Sequence, residues 1–135
     1  MTINDNEGLR QLLEDAKVIA VVGHSDKPSR TSYRIAQYLR SAGYKVYPVN
    51  PTVDEIDGEK SYASLDAIPE AIDIVDVFRR SEYLEGVVEE AAQVGAKAVW
   101  GQLGVRDEQA AAKAEAAGLD MVMDRCIKVD HARLF

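Results

Sequence analysis

Four short apolar runs, alternating with stretches of helical periodicity, constrain this chain more than any other feature. They are Val18–Gly23 (VIAVVG), Lys45–Val49 (KVYPV), Ile72–Phe78 (IDIVDVF) and Lys97–Trp100 (KAVW), with a weaker fifth at Leu119–Asp124 (LDMVMD). Near-continuous, β-branched runs of this length predict strands covered on both faces, as in a parallel sheet. Between them Ile35, Tyr38, Leu39 and Ala42 recur at i, i+3, i+4 and i+7, and so do Leu84, Val87, Val88 and Ala91. Leu9, Leu12, Leu13 and Ala16 repeat the spacing ahead of the first run, and Asp107–Ala117 is alanine-rich and helix-favouring. Gly43, Gly95 and Gly118 stand where three of these helices must stop before the next strand.

This alternation implies right-handed βαβ crossovers and an α/β class. The expected fold is Rossmann-like: a doubly wound parallel sheet of about five strands, order 3-2-1-4-5, with helices on both faces. Thr52–Ile68 lacks a clear period and is expected to hold a small hairpin or a helical turn near Ser64. The 135 residues show no linker and suit one domain, so 1–135 is read as a single unit. The opening MTINDNEGLR does not look like a secretory leader, and no apolar run approaches membrane-span length. With one cysteine, Cys126, the chain fits a reducing compartment, and a cytoplasmic location is expected.

A net charge of -7 argues against nucleic acid as a partner and makes the position of each cation informative. Open parallel sheets bind ligands beyond the carboxyl ends of their strands. Lys17, Lys45 and Lys97 precede strands and fall at the other edge. Lys27 and Arg30 follow the first strand, Arg79 and Arg80 the third, Arg106 the fourth and Arg125 the fifth. The ligand edge is therefore the arginine edge, and arginine's fork of donors matches phosphate. Arg79 and Arg80 also sit ahead of a helix expected to be capped by Ser81, where a bound phosphate would relieve their conflict with the helix dipole.

The first loop, Gly23-His24-Ser25-Asp26-Lys27-Pro28-Ser29-Arg30-Thr31-Ser32, supplies close backbone approach, hydroxyls and free amides at a helix start. Two absences narrow the ligand. There is no G-x-G-x-x-G, and the second strand ends in Asn50-Pro51 where an NAD site places an acidic residue for the ribose. There is no G-x-x-x-x-G-K-[ST] either, so P-loop chemistry is not expected. No metal site and no catalytic set emerge from the spacing.

With these residues assembled, the chain resembles the stand-alone CoA-binding domain proteins, small relatives of the N-terminal domain of the succinyl-CoA synthetase α subunit. The matching segments are IAVVGHSDKPSRTSYRIAQYL, GYKVYPVNP, GEKSYASLDAIPEAIDIVDVFRR, GAKAVWGQLGVRDEQAAAKAEAAGL and VMDRC, spread from about Leu12 to Leu134. The resemblance implies coenzyme A, acyl-CoA or CoA disulfide held across the carboxyl edge. Gly23, His24 and Ser25, with Lys27, Arg30 and Ser32, would meet the phosphates. Asn50 and Pro51 would flank the nucleotide end, Phe78, Arg79 and Arg80 the site after the third strand, and Gln102 the pantetheine arm. The synthetase also needs a second domain with a phosphorylated histidine. This chain has only His24, read as a loop residue near the ligand, and His131, read as an exposed tail residue, so ligase activity is not expected.

Cys126 follows the fifth strand on the side where a CoA thiol would arrive. It reads either as a small buried residue or as a thiol contact, where Arg125 would favour the reactive thiolate. Trp100 is expected in the core. Asp73 and Asp76 face opposite sides of their strand and form no acid–base pair. Two functions stay open: a non-catalytic carrier, sensor or partner module for CoA, with a homodimer as one arrangement, and a noncanonical NAD(P)-dependent or CoA-linked thiol redox enzyme.

Overall fold

A computed structural model describes all residues from Met1 to Phe135. The strands are β1 (Val18–Val22), β2 (Lys45–Val49), β3 (Glu55–Ile56), β4 (Glu59–Lys60), β5 (Ile74–Val77), β6 (Ala98–Gly101) and β7 (Asp120–Val122). The helices are α1 (Asn6–Asp15), α2 (Thr31–Ser41), α3 (Leu84–Gln93), α4 (Glu108–Ala116) and α5 (Ile127–Leu134). Five strands form one parallel sheet, and β3 and β4 form a separate antiparallel hairpin.

The period-2 geometry of β1 divides the core. Val18, Ala20 and Val22 face a cluster completed by Leu84, Val87 and Val88 of α3 and Ala110 and Ala114 of α4. Ile19 and Val21 face the other cluster, with Leu9 and Leu13 of α1, Ile35 and Leu39 of α2, and Ile127 of α5. All five β1 residues are buried, which is why the sequence shows a run there and not an alternation.

The strand order is a correction. The sheet runs β2-β1-β5-β6-β7, so in sequence order its parallel strands lie 2-1-3-4-5 and not 3-2-1-4-5. The expected order put the second strand inside the sheet; it is an edge. Pro48, in the middle of β2, is the physical reason, because proline has no N–H to give a second neighbour. Its carbonyl instead accepts from Tyr62 N (2.9 Å), and Asn50 N donates to Tyr62 O (2.9 Å), so the connecting segment closes the edge where the third strand was expected. That connection holds both features expected of it, the β3–β4 hairpin and a 3-10 turn at Leu65–Ala67. Leu65, Ile68 and Ile72 bury against the sheet in place of a crossover helix, and the chain enters β5 on the far side of β1.

Between β1 and β5 the connections diverge, the usual place for a ligand crevice. Gly23 closes this seam. Across the seam Phe78 N donates to Val22 O (2.9 Å), while the Gly23 N–H turns to β2 and donates to Val49 O (2.9 Å). With φ +87°, a Cβ on Gly23 would lie 2.6 Å from the Phe78 carbonyl oxygen. Only glycine fits there.

Two local expectations also change. Ser81 does not cap α3. Its hydroxyl donates to Gly104 O (3.0 Å) and accepts from Arg106 N (3.0 Å), tying the β5–α3 and β6–α4 loops together. His131 is not a tail residue: it lies on α5, half-buried, with Nδ1 2.8 Å from the Tyr38 hydroxyl.

Candidate site at the carboxyl rim

The rim loops enclose a polar cavity of about 450 Å³ above the β1–β5 seam. Gly23, Ser25, Lys27, Arg30, Ser32, Asn50 and Phe78 line it, so seven of the residues singled out in the sequence converge there. Asp26, the one carboxylate of the lining, joins them with Thr31, Thr52 and Val53; the Asn-Pro-Thr that follows β2 was the available signal for the last two. Beside it a cleft of about 260 Å³ is lined by Pro51, Arg79, Tyr83 and the apolar Val22, Val49 and Leu65. A larger depression of about 590 Å³ lies at the amino ends of β1 and β2, where no expected site residue falls.

Local hydrogen bonds shape the loop. Ser25 N donates to Ser32 Oγ (2.9 Å), and Lys27 N donates to Ser25 Oγ (3.1 Å). Asn50 Nδ2 donates to His24 O (2.9 Å), binding the end of β2 to the end of β1. The N-cap residue of α2 is Arg30, whose side chain offers no acceptor, so the helix begins without a side-chain cap, and its first turn holds no acidic residue. The positive end of the helix dipole therefore opens on the cavity, the usual setting for an anion.

The rim cations divide into two groups. Arg125 makes a two-bonded pair with Asp130 (2.7 and 2.9 Å), Arg106 pairs with Glu108 (2.9 Å), and Arg80 lies 3.4 Å from Glu82. Lys27, Arg30 and Arg79 have no acidic partner within 4.0 Å. Arg79 instead stacks on Tyr83, 4.8 Å from the ring centre. Unpaired cations in an acidic chain are a net attraction for an anion.

The remaining predicted residues sit elsewhere. The His24 side chain is fully buried and turns away from the cavity. Gln102 is also buried, and its Oε1 accepts from Ile127 N (3.2 Å), capping α5 from the loop that follows β6. Cys126 is the half-buried N-cap residue of α5, and the neighbouring Arg125 is committed to Asp130. Trp100 is core, its Nε1 donating to Arg125 O (2.8 Å). Asp73 accepts from Lys17 N and Val18 N (2.8 and 2.9 Å) at the amino edge, a structural clamp. Asp76 is wholly buried with neither oxygen hydrogen-bonded, and burial alone holds its carboxyl well above the usual carboxylate range. No group of three or more metal-ligating side chains gathers anywhere in the chain, and no helix is long and apolar enough to cross a membrane.

A parallel sheet wound on both faces, with free cations and an uncapped helix at its switch point, defines a Rossmann-like ligand-binding domain. The chain belongs to the CoA binding domain family, whose sequence model matches residues 17–132. It is 47% identical over 124 residues to the uncharacterized protein YneT of Bacillus subtilis, covering 92% of each chain. It is 29% identical over 129 residues to the II subunit alpha of the ADP-forming acetate–CoA ligase of Pyrococcus furiosus, covering 86% of this chain but 28% of that protein. Among solved structures, a hypothetical protein from Pyrococcus horikoshii OT3 superposes with a TM-score of 0.93 at 41% identity, over 97% of this chain and 92% of the other.

Proposed function

We propose that this protein binds coenzyme A or an acyl-CoA at the carboxyl rim, as a non-catalytic carrier, sensor or partner module. The observation that carries the reading is the pair Lys27 and Arg30, unpaired in an acidic chain, flanking the uncapped start of α2 above the Gly23–Phe78 seam. In this reading the phosphates occupy the polar cavity, met by Lys27, Arg30, Ser25 and the first amides of α2. The nucleotide end lies toward Asn50 and Pro51, where the adjoining cleft offers apolar walls and the planar Arg79. Phe78 forms the floor, and the pantetheine arm leads on past it toward the β6 end and Cys126, the residue a CoA disulfide would meet.

Family membership and the similarity to a CoA ligase subunit support the ligand class. The chain spans just over a quarter of that subunit, so the reading stops at binding. Isothermal titration with CoA, acetyl-CoA, NAD and NADP tests the proposal. Binding of CoA and acetyl-CoA with far weaker binding of the nicotinamide dinucleotides is the expected result; a preference for NAD overturns it.

A further inference from the structure

The residue after the seam glycine is a loop histidine with no exposed surface. Nδ1 of His24 lies 2.8 Å from the carbonyl oxygen of Ser25. A carbonyl only accepts, so Nδ1 carries the proton and Nε2 keeps a lone pair. Arg40 Nη1 lies 3.4 Å from Nε2, on the donating side. Both nitrogens of a neutral ring are thus engaged. The charged and titratable groups facing this imidazole come from two elements. Helix α2 contributes Arg40 and Tyr33, whose ring meets that of His24 edge-on at 6.0 Å. The hairpin contributes Asp57, which accepts from the Tyr33 hydroxyl, and Glu59, which acts on Arg40.

These bonds reach the cavity through the backbone. His24 O accepts from Asn50, Ser25 N donates to Ser32, and Ser25 Oγ accepts from Lys27 N. Ser25 and its neighbours Lys27, Ser32 and Asn50 all line the cavity; the His24 side chain does not.

We propose that His24 is a positioning residue of the anion cavity, its neutral, Nδ1-protonated ring holding the Ser25–Lys27 turn in binding shape, so that acid weakens ligand binding. The proposal rests on the reading that the rim binds CoA. A proton arriving at Nε2 sets a second cation against the Arg40 guanidinium where water is excluded. Burial, the largest cause, pushes His24 below its ordinary value; the Ser25 carbonyl bond and Asp57 favour the cation and offset this only in part. The ring relieves the conflict by swinging out and releasing the Ser25 carbonyl. Plain electrostatics has the opposite sign, because added positive charge near an anion tightens binding. The direction of the effect therefore separates positioning from simple attraction.

The test is isothermal titration at about pH 7.5 and about pH 5, the lower value set well beneath the ordinary histidine pKa because burial holds His24 below it. The probe is dephospho-CoA, which lacks the phosphate monoester that itself titrates near about pH 6. Wild type and His131→Asn, which alters the other histidine of the chain, are expected to lose about fivefold in affinity at the lower pH, the equivalent of one net hydrogen bond. His24→Asn keeps an amide donor for Ser25 O but cannot titrate, and its affinity stays flat. Tightening in acid, no change in wild type, or wild-type pH dependence in His24→Asn overturns the proposal. If neither CoA nor dephospho-CoA binds at the higher pH, the CoA reading itself has failed. The positioning role is then judged without ligand: the Ser25 and Lys27 amide resonances must titrate together with the His24 ring, and static amides overturn it.

Discussion

Substituting alanine at Gly23 tests the seam on which the rim is built. The new Cβ would stand 2.6 Å from the Phe78 carbonyl oxygen, a backbone atom that cannot swing aside. Alanine at φ +87° also carries the left-handed penalty of about 1–2 kcal/mol. Moving Gly23 away from Phe78 strains the Phe78–Val22 hydrogen bond across the seam and displaces the Gly23–Val49 bond to β2 on the other side, each worth about 1 kcal/mol net. The sum is a loss of about 2–4 kcal/mol. Gly43 provides the control. It has φ +103° with nothing within 4 Å of where a Cβ would stand, so Gly43→Ala bears the conformational penalty alone. Urea unfolding followed through Trp100, the single tryptophan and fully buried, measures both variants on one probe. Gly23→Ala must cost at least about 1 kcal/mol more than Gly43→Ala, the worth of one strained bond. Equal losses would show that close approach at the seam does not constrain the fold.

Three further outcomes follow from the same geometry. Arg30→Ala and Arg79→Ala should each weaken CoA binding by about 1–3 kcal/mol in isothermal titration, whereas Arg106→Ala, already paired with Glu108, should leave it nearly unchanged. Asp76 is held neutral in the folded chain, so its contribution to stability is fully present below the ordinary aspartate pKa and is lost as pH rises toward its folded value. Asp76→Asn removes that titration, and its urea midpoint should gain on wild type steadily from about pH 4 to about pH 8, above the ordinary carboxylate range; a constant difference would contradict a buried neutral acid. Gln102→Ala strips Ile127 N of its buried acceptor and should cost about 1–3 kcal/mol in the same unfolding assay, with amide exchange rising first in α5.

Local pattern carried much of this protein. The run VIAVVG and its four companions, set between i, i+3, i+4 repeats, were enough for a doubly wound α/β domain, because burial on both faces of a strand and on one face of a helix is written residue by residue. The concentration of arginine at the carboxyl edge was legible too, since the end of a strand is known once the strand is.

Choice among distant partners was not legible, because each is decided by what the chain brings alongside. Arg125 looked like a ligand residue until α5 placed Asp130 against it. That helix went unseen in the sequence because its cap comes from Gln102, 25 residues away. His24 looked like a rim residue, yet Arg40 and Tyr33 drew its ring inward. Pro48 stands between the two cases: its missing N–H was visible in the sequence and already required an edge strand, but only the sheet supplied the neighbour, Tyr62, that closed that edge. Periodicity settles which residues are buried, a short-range matter of backbone geometry; which buried or charged groups meet depends on long-range packing that no single segment encodes.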